Sequence, residues 1–202
     1  MVKIAIIFEG ETEEMVFNSA NFNNLLKSYN LEQIKPVKYI TGKLKTTIEK
    51  LCEKGSQHIV IVRDLENDKL NYQFKSVHEI KKHIEEKNKI VIDSKTIHLY
   101  VVVPMIESWF LADTDTLKSV LKIGKKSTFK LNKQPEQGHS FQRIVELLKA
   151  HLPENKKIPT KTILARRFID HGFSIANSAN HKNCKSAGLF IEFLKKLQYE
   201  SI

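Results

Sequence analysis

The sequence predicts an α/β fold: a mostly parallel, four-stranded sheet flanked by helices, with a helical C-terminal extension. Three observations carry this. Short apolar runs at 2–8, 58–63 and 96–103 have the length and unbroken hydrophobicity of strands buried on both faces. Between them lie segments with apolar residues at helical spacing, which gives a β-α-β-α-β-α-β order that demands crossover connections. After the run at 96–103 the strand pattern stops and the chain turns helical.

The elements follow in order. The first strand, 2–8, runs into Glu9-Gly10. A helix is expected over 12–29, with Met15, Phe22, Leu25, Leu26 and Tyr29 at helical spacing. Pro36 precedes a short strand at 37–40. The helix at 43–54 places Leu44, Ile48, Leu51 and Cys52 on an apolar face expected in the core, and Gly55 closes it in a left-handed cap. The third strand, 58–63, leads into an acidic stretch expected to lie outside the strand. Asp64 and Glu66 alternate along the chain, and only a turn brings both to one side. Val77, Ile80 and Ile84 mark the next helix. The fourth strand, 96–103, is almost wholly apolar, hence expected to be central or well covered, and Pro104 ends it. Another helix opens at 106–111, with Trp109 in the core. Residues 122–140 read as a surface loop. Three helices follow near 140–151, 160–170 and 186–197, with 171–185 irregular. The division expected is an α/β core over 1–121 and a basic helical extension over 122–202 packed on it.

Chemistry concentrates where two strands end. Ile4-Ala5-Ile6-Ile7-Phe8 closes on Glu9-Gly10-Glu11-Thr12-Glu13, and Ile59-Val60-Ile61-Val62-Arg63 closes on Asp64-Leu65-Glu66-Asn67-Asp68. In open α/β sheets ligands sit beyond the carboxyl ends of the strands, so these carboxylates converge on one crevice. Crowded anions repel, and an all-oxygen donor set suits Mg²⁺ or Mn²⁺. Each piece has a plainer reading. A strand-ending Glu is often a loop residue, and Glu11, Glu13 and Glu14 favour a helix N-terminus. The repetition of the pattern at two strand ends favours the metal site. Glu107, at the start of the helix after the fourth strand, approaches the same crevice, as a further ligand or as a helix N-terminal acid.

These residues carry a family resemblance. Phe8-Glu9-Gly10-Glu11-Thr12-Glu13, followed by Asp64-x-Glu66-x-Asp68, resembles the two signature motifs of Toprim domains. That Rossmann-like α/β fold is shared by topoisomerases, primases, ribonuclease M5 and nucleases of the overcoming-lysogenization-defect type. With Val103-Pro104-Met105-Ile106-Glu107-Ser108-Trp109-Phe110-Leu111-Ala112-Asp113, the chain is similar to small stand-alone Toprim-like proteins associated with bacterial anti-phage defence. The resemblance spans about the first 115 residues. It implies a Toprim-like core and catalytic roles for Glu9, Asp64 and Glu66. The candidate metal shell is Glu9, Glu13, Asp64, Glu66, Asp68 and Glu107, with Glu13 one helical turn beyond Glu9 and Glu107 placed by the helix after the fourth strand. Glu9 is general base or metal ligand; the acid/base role is the one the resemblance implies. The usual second motif is Asp-x-Asp, and here Glu66 stands in the second place with a longer arm.

Charge is divided unevenly. The chain of 202 residues carries a net charge of +10. Residues 1–113 balance at 16 basic and 16 acidic side chains, whereas 114–202 has 17 basic and 7 acidic. An acidic half beside a basic half suits a polyanion, because carboxylates hold metal while Lys and Arg neutralise phosphates. Lys161, Arg166, Arg167, Lys182 and Lys185 are the candidate phosphate contacts; a solvated lysine-rich face is the alternative. No stretch approaches the ~20 apolar residues of a membrane span. Met1-Val2-Lys3 leads straight into a strand without a signal peptide, and two cysteines give no disulfide framework, so a cytoplasmic protein is expected. His181-x-x-Cys184 has no second pair to complete a zinc site.

The expected function is metal-dependent hydrolysis of phosphodiester bonds in DNA or RNA, in anti-phage defence, with an ATPase as the protein partner that a two-component system would imply. The alternatives are nucleotidyl or phosphoryl transfer on the same metal site, and a non-catalytic module that binds nucleic acid or a partner.

Overall fold

The structure, a computed structural model, describes residues 1–40, 42–65, 76–92, 95–124, 134–151 and 157–199. Glu66 and Asp68 lie outside the described residues. The order is β1 (Val2–Phe8), α1 (Glu11–Phe17), α2 (Ala20–Ser28), β2 (Leu31–Lys38), α3 (Leu44–Glu53), β3 (His58–Asp64), α4 (Val77–Asn88) and β4 (Ile97–Val102), followed by α5 (Glu107–Ala112), α6 (Thr114–Val120), α7 (Ser140–His151), α8 (Lys161–Asp170), α9 (Ile175–Ala179) and α10 (Lys185–Leu197). All strand pairs are parallel and the sheet order is β2-β1-β3-β4. The fold is thus α/β, with helices on both sheet faces.

Side chains alternate across the strands, so β1 and β3 feed two cores. Ala5, Ile7, Ile59 and Ile61 pack with Leu44, Ile48 and Leu51 of α3 and Ile80 and Ile84 of α4. Ile4, Ile6, Phe8, Val60 and Val62 face the other way, onto a cluster that takes in Phe17, Trp109, Phe110, Phe168 and Phe190. This second core includes residues of α8, α9 and α10, so the C-terminal helices close the same face of the sheet that α1 and α2 cover. Trp109 is fully buried and its Nε1–H donates to Ser186 Oγ at 2.8 Å, which ties α5 to α10. Replacing such a core aromatic by Ala removes about 3–5 kcal/mol.

Six local expectations are corrected. The helix over 12–29 is two helices. Asn18 Nδ2–H donates to Glu14 O at 2.9 Å and Ser19 Oγ caps α2 by accepting from Phe22 N–H at 3.2 Å, side-chain bonds that compete with helix continuation. The second strand starts earlier, at Leu31, and carries Pro36 inside it. It tolerates the proline because β2 is an edge strand and its register with β1 shifts between Ala5 and Ile7. The fourth strand is not central: β4 is the opposite edge, partly buried, with Tyr100 against Phe190 of α10 at a centroid distance of 4.8 Å. Asp64 remains in β3, paired with Val102. The stretch 171–185 contains the short helix α9, capped by Ser174 Oγ, and Cys52 is exposed beside the buried Leu51. The short helix α6 is an addition to the expected elements. No helix among the described residues is long and apolar enough to cross a membrane.

Candidate functional site

The chain runs from β1 outward to β2, then crosses back to β3 on the other side of β1. The strand order therefore reverses between β1 and β3, the point where open α/β sheets form their crevice. Glu9 follows β1 and Asp64 ends β3, so the topology brings the two acidic motifs side by side.

Four carboxylates meet there. Glu13 lies in the first turn of α1 and is only 7% exposed. Glu107 opens α5, after β4 and Pro104, and is 3% exposed. Asp64 Oδ1 accepts from Ile106 N–H at 3.1 Å, which fastens the end of β3 to the start of α5. Glu9 Oε2 pairs with Arg63 Nε at 2.6 Å, and the Arg63 guanidinium lies over the Tyr39 ring, 5.1 Å from its centroid. The three strand ends of β1, β2 and β3 are thus linked through one arginine.

The electrostatics are those of anions crowded out of water. Burial pushes the Glu13 carboxyl up to about 7; its own backbone N–H opposes this, Glu107 and Glu9 add to it, and Lys161 lowers it again. Asp64 is held well above the ordinary carboxylate range by burial first, then by Glu13, Glu107 and Glu9, with Lys161 opposing. Glu9 is raised by burial and restrained by Arg63. Lys161, the first residue of α8, sits with Nζ 3.6 Å from Glu107 Oε1 and 5.3 Å from the Phe141 ring centroid. Beside it Thr162 Oγ1–H donates to Glu11 Oε2 at 2.7 Å, and α1 and α8 bound an open groove of about 340 Å³ lined by Glu11, Glu14, Met15, Asn18 and Thr162.

Of the residues expected from sequence, the fold brings Glu9, Glu13, Asp64 and Glu107 into mutual electrostatic contact. It also brings Lys161 among them as a counter-charge rather than on a separate basic face. Arg166, Lys182 and Lys185 are exposed and Arg167 is partly buried, and none of them is among the charges that shift Glu9, Glu13 or Asp64. As they stand, no three His, Cys, Asp or Glu side chains among the described residues are grouped closely enough to hold a metal ion. Glu9 is engaged by Arg63, Glu107 by Lys161, and one oxygen of Asp64 by a backbone amide.

Arg63 is the functional residue that sequence reasoning missed. Its signal was a cation ending an otherwise apolar strand directly before the acidic motif. The place of Lys161 had no local signal, because only the packing of α8 on α1 delivers it.

The C-terminal region of the Burkholderia pseudomallei OLD protein is a similar solved structure, 12% identical, matched over 96% of this chain and 98% of that one with a TM-score of 0.48. No curated protein matches the sequence. A family defined by a domain of unknown function, DUF4276, matches residues 8–198, and the chain belongs to that family.

Proposed function

We propose that the crevice between β1 and β3 is the site of a divalent-cation-dependent nuclease that hydrolyses phosphodiester bonds in DNA or RNA. The observation that carries this reading is the set Glu9, Glu13 and Asp64, each raised in proton affinity first by burial, with the buried Glu107 adding its charge at Glu13 and Asp64, at the switch point of a parallel sheet. An all-carboxylate donor set fits Mg²⁺ or Mn²⁺, and a cation would offset the repulsion that the set carries. The resemblance of the Glu9-to-Glu13 and Asp64 motifs to Toprim domains supports the same chemistry, and with it we propose a role in anti-phage defence beside an ATPase partner.

Glu13, Asp64 and Glu107 would hold the ion, joined by Glu66 and Asp68 from the following segment. The ion would supply charge neutralisation and activation of water. Glu9 is held by Arg63 at one oxygen, which leaves the other to accept a proton from an attacking water. The Lys161 ammonium, paired with Glu107, would be available to a phosphate bound beside the ion. Arg166, Arg167, Lys182 and Lys185 would hold the polyanion by charge.

The test is incubation of purified protein with DNA and with RNA in Mg²⁺, Mn²⁺ or EDTA. Cleavage that needs the cation and is lost in Glu9→Gln, with binding retained, supports the proposal. One observation favours a second reading, a non-catalytic binding module: the described acids do not form a metal-holding group as they stand. Binding without cleavage under every cation condition would select it.

A further inference from the structure

Gly10 stands between Glu9 and Glu11 of the first motif, and its backbone does not explain why it is glycine. Its φ of −115° and ψ of 174° are extended values that any residue adopts. Nor does the N-cap role demand it, since no side chain caps α1 there. Space does. A Cβ built on Gly10 would lie 2.6 Å from Glu13 Oε2. Of the other glycines, only Gly188 has any atom within 4 Å of the same position, a carbonyl at 4.0 Å. Gly10 is thus the one glycine whose missing side chain makes room for a carboxylate.

The cause lies in helix geometry. Glu13 is the third residue of α1, where an acidic side chain folds back over the first turn toward the exposed amides. That fold-back draws its carboxylate over Gly10 and into the carboxylates of the crevice instead of out to solvent. We infer that Gly10 is a positioning residue that admits the Glu13 carboxylate to the candidate metal site. The inference rests on the proposed function for its consequence but not for its geometry. The atom that a Cβ would meet is the far end of a flexible side chain. A methyl group at position 10 therefore leaves the fold intact and drives the carboxylate out, which separates the two roles of the segment.

The test has two arms. The crystal structure of Gly10→Ala, without metal, is expected to keep the β1–α1 backbone in place with the Glu13 carboxylate displaced from residue 10. An unmoved carboxylate, or a backbone shift that accommodates the methyl, overturns the inference whatever the site binds. In the second arm Mn²⁺ binding is followed by electron paramagnetic resonance. Gly10→Ala is expected to weaken it about tenfold or more, the range seen when a group supporting a metal ligand is lost. Gly10→Ala added to Glu13→Gln is expected to weaken it no further. Equal losses in both backgrounds would mean that Gly10 acts on something other than Glu13. If the unaltered protein binds no Mn²⁺, the metal reading fails while the first arm still decides the role of Gly10.

Discussion

Asp113 and Glu13 are both acids enclosed by the protein, 1% and 7% exposed, and the fold treats them oppositely. Asp113 is surrounded by donors. Its oxygens accept from Thr116 N–H at 3.3 Å, Thr116 Oγ1–H at 2.9 Å, Ser174 N–H at 3.0 Å and Asn177 Nδ2–H at 3.4 Å. The result is a peg that caps α6 and fastens the turn before α9. Glu13 has its own backbone N–H and the charge of Lys161, and beyond those it faces other carboxylates. An anion with donors on every side holds a structure together; an anion set among anions is held by the structure against its electrostatics. Such stored repulsion collects where a ligand of opposite charge is to be received.

The contrast is broken most forcefully at Asp113. Replacing it by Ala strands the amides of Thr116 and Ser174 and removes a helix cap, together a loss of about 3–5 kcal/mol. At about 2–4 °C per kcal/mol for a chain of this size, the melting temperature should fall by roughly 6 °C or more. Thermal unfolding followed by circular dichroism checks this. A change below about 2 °C would show that the peg is dispensable.

The pH dependence sharpens the other side. Glu13 binds its proton more tightly folded than unfolded, rising from 4.5 to about 7. The folded state then carries more protons between those values, so stability falls as pH climbs through that window. The metal-free protein should lose about 3 kcal/mol between pH 4.5 and 7 from this group, and Glu13→Gln should flatten that slope. Urea titrations in EDTA at pH 5 and pH 7.5 measure the difference; parallel pH profiles for the two proteins would remove the stored repulsion from the account.

How much of this was legible in the sequence follows from what is local. Strands β1 and β3 announced themselves because burial on both faces leaves an unbroken apolar run, and their carboxyl ends marked Glu9 and Asp64 as neighbours before any coordinates. Glu107 was visible for the same reason, a helix start at the end of a strand. The break at Ser19 was hidden because apolar spacing continues across it while only two short polar side chains interrupt the backbone. The edge position of β4 was hidden because Tyr100 and Leu99 find partners on opposite faces of the sheet, which reads like a central strand. Lys161 was seen as basic but not as a partner of Glu107, since nothing in the chemistry of α8 alone says which helix it meets. Arg63 was passed over as the polar end of a strand, although it is the clamp on Glu9.

A smaller effect tests the basic half. If Arg166 and Arg167 hold phosphates, replacing both by Ala should weaken binding across nucleic-acid sequences and reduce the slope of log affinity against log salt by about 1–2. Fluorescence anisotropy over a salt series, without divalent cations, gives the slope. An unchanged slope would make these arginines part of a solvated face.

The central claim is that the crevice is poised for a divalent cation, and the melting temperature in Mg²⁺ or Mn²⁺ against EDTA tests it most directly. At a hundredfold excess over its dissociation constant, an ion that binds only the folded state adds about 2.7 kcal/mol. The unaltered protein should therefore melt several degrees higher with millimolar cation. Asp64→Asn should melt at the same temperature or higher than the unaltered protein in EDTA, because one repelling charge is gone, and should not respond to the ion. A melting curve indifferent to both cations, or an Asp64→Asn protein as destabilised in EDTA as Asp113→Ala, would contradict the account.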